Sequence, residues 1–364
     1  MPEQETVVIA MSGGVDSSAT AALMVKKGYN CVGMTMRLWK GEEAEQSSCS
    51  NQSCCGAESV EDARLVARAL DIPYYAINFK EEFWNEVVVK FAQEYFAGRT
   101  PSPCILCNEK LKFDTLYNKA REIGASKVCT GHYARIEFDQ NRGRYLLLRG
   151  KYRKKDQSYF LFSMTQEQLS KTLFPVGEFT KEDIRDMAED AGLVTAKKPE
   201  SQDICFIPDG DYAAFLERHF PEETKKAKAT VKHVNGETLG ENKGTYSVTV
   251  GQRKGLGIAF GEPLYVTGID AEKKEILVGS REDATKPECI IEGVNWIAVD
   301  PQVGDEFRVS ARIRSRGPES PATVTALEEG KARVVFDTPA HAVTPGQACV
   351  FYQDEIVFGG GWIK

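Results

Sequence analysis

Three short segments of the chain combine residue types that could do chemistry. The first, Ser12-Gly13-Gly14-Val15-Asp16-Ser17-Ser18, follows the β-branched run Val7–Ala10 and precedes an alanine-rich apolar stretch. Two glycines permit a sharp turn that brings backbone N–H groups close to a ligand. A helix that begins near Asp16 adds unpaired N–H donors and the positive end of its dipole, and together these bind phosphate. The segment therefore predicts a phosphate-binding loop, although it lacks the lysine of the usual Gly-x4-Gly-Lys-Ser/Thr loop.

The second segment holds a Cys-x-x-Cys pair, Cys104 and Cys107, behind two prolines that stiffen its approach. Asn108 can cap the helix that follows. A cysteine near a helix N-terminus, with Lys110 and Lys112 close in sequence, has its thiolate favoured. By itself the pair is compatible with a redox couple, half of a metal site or coincidence.

The third segment carries Cys205 between Ile204 and Phe206, a setting typical of a buried structural cysteine. The adjoining run Glu200–Asp203 favours a solvent-facing turn instead. The chain has ten cysteines, and in a cytosolic protein such a number indicates thiol or metal chemistry rather than structural disulfides. Four in apolar or β-rich contexts are expected to be packing residues: Cys31, Cys129, Cys289 and Cys349. Three in the polar stretch 41–57 could bind a metal, but no second pair or histidine lies near them: Cys49, Cys54 and Cys55.

The composition is that of a globular protein with two or three domains: 364 residues, 42% hydrophobic and 27% charged. No apolar run reaches the ~18 residues of a membrane span and the charged start is no signal peptide, so we expect a cytoplasmic protein. The net charge of −7 argues mildly against nucleic acid, yet basic residues cluster locally. The run Lys151–Lys155, followed by aromatic residues, suits phosphate contact and stacking. On a strand, Arg312, Arg314 and Arg316 would share one face, for RNA contact or simply for solvent.

The elements that must position these segments alternate between strand and helix up to about residue 200. The expected strands are Val7–Ala10, Cys31–Met36, Tyr74–Asn78, Lys127–Thr130 and Tyr145–Leu148. The expected helices are Ser17–Lys27, Ser59–Leu70, Phe83–Ala97, Phe113–Ile123 and Thr180–Ala191. This alternation predicts an α/β fold with a doubly wound parallel sheet, whose ligand lies beyond the carboxyl ends of the strands. From about residue 230, short β-like runs such as Tyr246–Val250 predict one or two small β-barrels.

Further motifs stand in order along the chain: Gly131-His132-Tyr133-Ala134-Arg135, Lys155-Asp156-Gln157-Ser158-Tyr159-Phe160-Leu161 and Thr344-Pro345-Gly346-Gln347. The first loop resembles the pyrophosphate loop of the ATP pyrophosphatases, which transfer AMP to a substrate oxygen. Together with Thr100–Asn108 and Ser201–Phe206, the whole set resembles the bacterial tRNA-specific 2-thiouridylases. That resemblance spans essentially the entire chain.

The resemblance implies a transferase that places sulfur at C2 of the wobble uridine of tRNA. It implies a nucleotide-binding domain over 1–205, a small central β-domain over 206–281 and a C-terminal β-barrel over 282–364. It assigns ATP binding to Ala10, Met11, Ser12, Gly13, Gly14, Val15, Asp16, Ser17, Met36 and Gly131. It assigns contacts with the target base and the rest of the tRNA to Ser102, Pro103, Cys104, His132, Lys155, Asp156, Gln157, Ser315, Arg316 and Gln347. A core position for His132 and a solvated face for the arginines stay open.

In the implied reaction, ATP with Mg²⁺ adenylates the C2 oxygen, which is otherwise a poor leaving group. Cys205 carries a persulfide and Cys107 is the nucleophile, so that a Cys107–Cys205 disulfide remains. Many relatives have aspartate where this chain has Cys104. Either Cys104 is a neutral variation, or Cys104, Cys107 and Cys205 hold an iron–sulfur cluster; we prefer the persulfide route, which needs no other metal.

The implied partners are the anticodon stem-loop of tRNA and a sulfur donor such as a cysteine desulfurase or a sulfur-relay protein. We expect a monomer and no membrane contact. A nitrogen-transferring ATP pyrophosphatase would share the first loop, but it gives no reason for Cys107, Cys205 or the basic aromatic segment 151–161. A non-catalytic nucleotide-sensing or redox-binding module is the other alternative, and it would show no ATP-dependent turnover on tRNA.

Overall fold

The computed structural model describes residues 4–39, 57–199, 204–207, 209–258 and 260–364. The chain divides into two units. The first comprises 1–87, 104–210 and 355–357, and the second comprises 88–103, 211–354 and 358–364. Within the described ranges, no helix has both the length and the apolar character needed to cross a membrane.

A five-stranded sheet in the order β3-β2-β1-β4-β7 forms the centre of the first unit, and the four pairings that join its strands are parallel. Its strands are β1 Thr6–Ala10, β2 Asn30–Arg37, β3 Tyr74–Asn78, β4 Lys127–Cys129 and β7 Thr172–Leu173. The central strand β1 is fully buried at Val7, Val8 and Ile9, as expected for a parallel strand covered on both faces. Strand order reverses between β1 and β4, so this is the crevice where a doubly wound sheet binds its ligand.

Helices of the first unit pack around this sheet, and the predicted α/β class is confirmed. They are α1 Val15–Lys26, α2 Ala57–Ala69, α3 Lys80–Phe83, α5 Pro103–Leu106, α6 Leu116–Glu122, α7 Gln166–Ser170 and α8 Lys181–Asp190. Two stretches are π-helical. Trp84–Val88 lies within the predicted helix Phe83–Ala97, and Cys107–Thr115 precedes and overlaps the start of the predicted helix Phe113–Ile123. Short 3-10 turns lie at Arg153–Lys155, Ser158–Leu161 and Pro175–Glu178.

A hairpin of the first unit corrects one strand expectation. Residues 145–148 were expected in the parallel series, but they belong to β6 Arg144–Arg149, which pairs antiparallel with β5 Ala134–Asp139. The other edge of β6 pairs with Ile356 and Val357. The connection between β5 and β6 is only a few residues long, and such a connection permits an antiparallel pair but not a crossover.

The second unit contains a four-stranded sheet in the order β10-β11-β8-β9. Its strands are β8 Ala229–His233, β9 Thr238–Asn242, β10 Tyr265–Asp270 and β11 Glu275–Gly279, and its helices are α4 Val89–Phe96, α9 Tyr212–His219 and α10 Pro221–Lys226. The expected strand 246–250 was wrong, because a 3-10 turn occupies Thr245–Ser247. Local side-chain bonds favour this turn, since the Ser247 hydroxyl donates to Asn242 Oδ1 and the Gly244 carbonyl.

Six strands of the second unit close into a barrel, which confirms that prediction. They are β12 Thr285–Trp296, β13 Glu306–Arg312, β14 Ser320–Ala326, β15 Ala332–His341, β16 Ala348–Gln353 and β17 Ile356–Ile363, and β12 pairs with both β15 and β17. The shared face predicted for Arg312, Arg314 and Arg316 was wrong. Strand β13 ends at Arg312, and Gly317 and Pro318 favour a turn beyond it. Arg312 pairs with Glu319, while the Arg314 guanidinium donates to the His341 carbonyl.

Candidate active site

The loop between β1 and α1 is held by bonds among its own residues. Gly13 has φ +70°, and a Cβ there would stand 2.1 Å from the Ser59 carbonyl oxygen, so only glycine fits. The Ser17 hydroxyl accepts from the Ser12 N–H at 3.2 Å and donates to the Gly14 carbonyl at 3.0 Å. The Ser18 hydroxyl donates to the same carbonyl at 2.9 Å. These bonds fix a tight turn whose residues lead directly into the first turn of α1.

Gly131, which follows β4, lies against this loop. A Cβ on Gly131 would stand 2.9 Å from the backbone of Asp16 and Ser17. Met36 lies at the carboxyl end of β2, two residues beyond Met34, whose carbonyl accepts from the Met11 N–H. The structure thus places the loop, Met36 and Gly131 along the same edge of the parallel sheet.

A cation that sequence reasoning missed reaches the loop acid. Lys181 Nζ lies 2.7 Å from Asp16 Oδ1, and the Tyr133 hydroxyl donates to the same oxygen at 2.7 Å. The Lys181 side chain is 8% exposed and the Asp16 side chain 32%, so the lysine is the buried partner of the pair. A lysine on the first residue of α8 opposes the helix dipole, which is the one signal that could have marked it. Lys181 of α8 therefore brings a buried positive charge to the loop where phosphate is expected to bind.

The Cys-x-x-Cys pair straddles a change of helix type. Cys104 is exposed on α5, whereas Cys107 is buried at the start of the π-helical stretch Cys107–Thr115. Fully buried Ile105 and Leu111 anchor this stretch, and short π-helical stretches are frequent at functional sites. The predicted cap at Asn108 was wrong. A helix already begins at Pro103 and continues into the π-helical stretch Cys107–Thr115, which contains Asn108.

Cys205 is half-buried in a turn, as expected. The neighbouring Phe206 ring packs edge-on against Phe83, with centroids 5.6 Å apart, and stacks on Trp39 at 6.3 Å. Phe83 is the last residue of α3, and α3 also contacts the Cys107–Thr115 stretch. One short helix of the first unit therefore supports both cysteine segments.

The described cysteines are all thiols, since no disulfide joins any of the seven. The four cysteines expected to be packing residues are buried. Burial raises the pKa of Cys31 to about 11 and also raises the pKa of Cys129. Among the described residues, no group of three or more His, Cys, Asp or Glu side chains is arranged to hold a metal ion. Cys49, Cys54 and Cys55 lie outside the described residues, as do Ser201, Gln202 and Asp203.

Two of the predicted tRNA contacts use their side chains to shape their own segment. Asp156 Oδ1 accepts from the N–H groups of Gly150 and Ser158, at 3.1 and 3.2 Å. Gln157 Oε1 accepts from the Tyr133 N–H at 3.0 Å. The basic run before them is partly neutralised, since Lys151 pairs with Glu178 and Arg153 pairs with Glu355.

His132 is a buried histidine of the first unit. Its Nδ1 lies 2.7 Å from the Thr130 hydroxyl oxygen, and its ring packs edge-on against Phe174. Burial holds the pKa of His132 well below its ordinary value, and the nearby Lys112 charge adds to this. A neutral ring in an aromatic setting matches the core reading of His132 that the sequence left open.

In the second unit, Gln347 holds the segment that leads into the cysteine pair. Gln347 Nε2 donates to the Thr100 carbonyl at 3.0 Å and lies 3.4 Å from the Pro101 carbonyl. Gly346 has φ +85°, and a Cβ there would come within 3.0 Å of the Thr100 backbone. The next residues, Ser102 and Pro103, are buried. Ser315 and Arg316 lie in the turn after β13.

Comparisons with known proteins account for nearly the whole chain. The family described as tRNA methyl transferase HUP domain matches residues 5–209, the tRNA methyl transferase PRC-barrel domain matches 213–280, and the aminomethyltransferase beta-barrel domain matches 286–363. The tRNA-specific 2-thiouridylase MnmA of Geotalea uraniireducens is 47% identical over 369 residues, which cover 100% of this chain and 96% of the relative. The protein of the same name from Acetivibrio thermocellus is 45% identical over 361 residues, which cover 99% of each chain.

Proposed function

We propose that this chain, which belongs to the tRNA-specific 2-thiouridylase family, thiolates C2 of the wobble uridine through a persulfide on Cys205. The family makes the chain a tRNA sulfurtransferase. The observation that carries the persulfide route is the common support of Cys107 and Cys205 on α3, in the same unit as the phosphate-binding loop. The two cysteine segments then have one short element in common.

We assign ATP to the loop Ala10–Ser17 together with Met36 and Gly131. The loop N–H groups would bind phosphate oxygens, and Lys181 would offset the negative charge that Asp16 brings to the site. Mg²⁺ bound to ATP would further stabilise charge on the phosphates. The uridine C2 oxygen attacks the α-phosphorus, pyrophosphate leaves, and the resulting AMP ester makes that oxygen a good leaving group.

Sulfur transfer can follow two balanced routes. In the first, the terminal sulfur of the Cys205 persulfide attacks C2, AMP leaves, and Cys107 then attacks Cys205 Sγ to release the thiouridine. In the second, Cys107 attacks Cys205 Sγ first, and the released hydrosulfide displaces AMP from C2. Both routes end in a Cys107–Cys205 disulfide, which a dithiol reductant must open before the next turnover. We derive no step through a metal cluster on Cys104, Cys107 and Cys205.

We assign the target base to Ser102, Pro103 and Cys104. Lys155 and Arg316, with the segments around them, would contact the tRNA backbone. Asp156, Gln157, His132 and Gln347 would act mainly by shaping those contact segments, because their side chains bond to or pack on the protein itself. We propose a cytoplasmic monomer that takes sulfur from a persulfide donor, with domains over 1–205, 206–281 and 282–364.

The test is a thiolation assay with anaerobically purified protein of measured iron content, unmodified tRNA, ATP-Mg²⁺ and a cysteine desulfurase. We expect Cys107→Ser and Cys205→Ser to abolish 2-thiouridine while both variants still release pyrophosphate, and we expect Cys104→Ala to remain active without iron. Activity that follows iron content and is lost in Cys104→Ala would replace the persulfide route with a cluster. Absence of 2-thiouridine from the wild type would overturn the function itself.

A further inference from the structure

Asn108, the residue after Cys107, is a buried amide of which only one of the two polar atoms has a partner among the described residues. The residue is 2% exposed. Its Nδ2 donates to the Phe160 carbonyl at 3.0 Å. Its Oδ1 is buried and has no partner among the described residues. The pattern also fixes the orientation of the amide, because the opposite orientation would set two oxygens against each other.

The unpaired acceptor offsets part of the stability that the Nδ2 bond contributes. A buried acceptor without a partner loses its hydration and gains nothing in return. Asparagine also has a weak preference for helix interiors. What the amide does provide is a bond between two segments 52 residues apart.

Phe160 belongs to the 3-10 turn Ser158–Leu161, directly after the segment Lys155–Gln157 that we assign to tRNA. That segment is held firmly to its surroundings, because the Gln157 side chain and backbone both bond to Tyr133 and Asp156 bonds to Ser158. The Phe160 N–H also donates to the Gln157 carbonyl at 3.0 Å, so a displacement of Gln157 would move Phe160 with it. The Asn108 amide then connects the Phe160 carbonyl to the π-helical stretch that begins at Cys107.

We propose that Asn108 is a positioning residue that connects the π-helical stretch of Cys107 to the tRNA-binding segment Lys155–Gln157. Binding of the tRNA would then determine the position of the Cys107 thiol. This inference rests on the proposed function and deepens it. Asn108 does not touch the reacting atoms in this scheme. It acts through the Nδ2 donor, which bonds to the Phe160 carbonyl. The unpaired Oδ1 reduces the stability that this bond contributes.

The test compares Asn108→Leu, which lacks donor and acceptor, with Asn108→Asp, which keeps an acceptor but cannot donate when ionised. Asn118→Leu is the matched control. Asn118 lies ten residues after Asn108, and its side chain donates to the exposed Asp114 carboxylate, four positions away. Three quantities are measured: the single-turnover rate of sulfur transfer from preloaded Cys205 persulfide, the Kd for unmodified tRNA, and the midpoint of thermal unfolding. A fourth is the rate at which iodoacetamide alkylates Cys107 with and without tRNA, followed by mass spectrometry.

We expect Asn108→Leu to stay folded, with an unfolding midpoint slightly below wild type because the Phe160 carbonyl loses this donor. It should transfer sulfur roughly 30-fold more slowly at a tRNA Kd within twofold of wild type, since small misplacements of reacting groups carry penalties of this order. Asn108→Asp should show the same slow transfer. In the wild type, tRNA should change the alkylation rate of Cys107, and both variants should lose that response.

Wild-type transfer in Asn108→Leu would overturn the inference, and so would wild-type transfer in Asn108→Asp alone, which would assign the role to the acceptor. An alkylation rate that does not respond to tRNA in the wild type would also overturn it. The alkylation measurement needs no sulfur transfer, so it tests Asn108 even where the proposed function fails.

Discussion

The phosphate-binding loop and the segments that carry Cys107 and Cys205 all lie in the first unit, but different kinds of contact hold them. The bonds among Ser12, Gly14, Ser17 and Ser18 join residues three to five positions apart. Beside Cys107, the Asn108 amide bonds to a carbonyl 52 positions away. Beside Cys205, the Phe206 ring packs on Phe83. The loop is thus a local structure, whereas the thiols depend on distant parts of the chain.

This difference follows from what each region must do. A polyphosphate is bound by N–H groups that point at it in advance, and a short turn rich in glycine and serine provides them. Sulfur transfer requires two thiols and a base from another molecule to meet, so the elements that carry them must respond to one another. An irregular helix held by a few long-range contacts suits the second task.

Gly13→Ala tests the local bonds of the phosphate-binding loop and should have the largest effect on activity. The new Cβ would clash with the Ser59 carbonyl, and its positive φ alone costs about 1–2 kcal/mol, so we expect ATP-dependent pyrophosphate release to fall at least ~100-fold. Gly14→Ala is the control, because Gly14 has φ −101° and its Cβ would meet only Ser12 Oγ at 3.6 Å. Pyrophosphate release and thermal unfolding are measured for both. Equal falls in the unfolding midpoint of the two variants would mean that the loop is not held as described.

Gln347→Leu tests the long-range side with a smaller effect. Loss of its bonds to the Thr100 and Pro101 carbonyls frees the segment that precedes Cys104, so we expect 2-thiouridine formation to fall about tenfold. The Kd for ATP in the absence of tRNA should stay unchanged. Gln353→Leu removes a similar bond, to the Arg308 carbonyl, and should leave thiolation near the wild-type rate. If the two variants lose activity equally, Gln347 has no special part in placing the segment.

Cys31→Ala concerns the sheet beneath the loop and should affect stability alone. The folded protein raises the pKa of Cys31 from 9.0 to about 11 by burial, so the neutral thiol is favoured in the folded state. Its contribution to the free energy of unfolding is complete below pH 9 and is lost as the pH rises to 11, by about 3 kcal/mol. In Cys31→Ala the free energy of unfolding should fall less steeply across this range.

Denaturant unfolding at several pH values measures that slope, and Cys104→Ala serves as a control because Cys104 is exposed. An unchanged slope in Cys31→Ala would show that other groups govern alkaline stability.

Much of the fold was predictable because its signals are local. Each expected parallel strand from β1 to β4 was found within a residue or so, since a run of apolar residues between turn signals determines a buried strand. The failures arose where local patterns compete with distant contacts. Residues 246–250 look like a strand, but a 3-10 turn occupies Thr245–Ser247. Asn108 looks like a cap but lies within a π-helical stretch. The resemblance to a family, rather than periodicity, identified Cys107 and Cys205 as a pair.

The sequence by itself determined the phosphate-binding loop, the order of the elements and the residues with reactive side chains, because these depend on neighbours within a few positions. Only the tertiary structure decided which distant groups support them. Lys181 meets Asp16 across 165 positions, Gln347 meets Thr100 across 247, and Asn108 meets Phe160. Such contacts form only after packing has brought the segments together, and no local spacing records them.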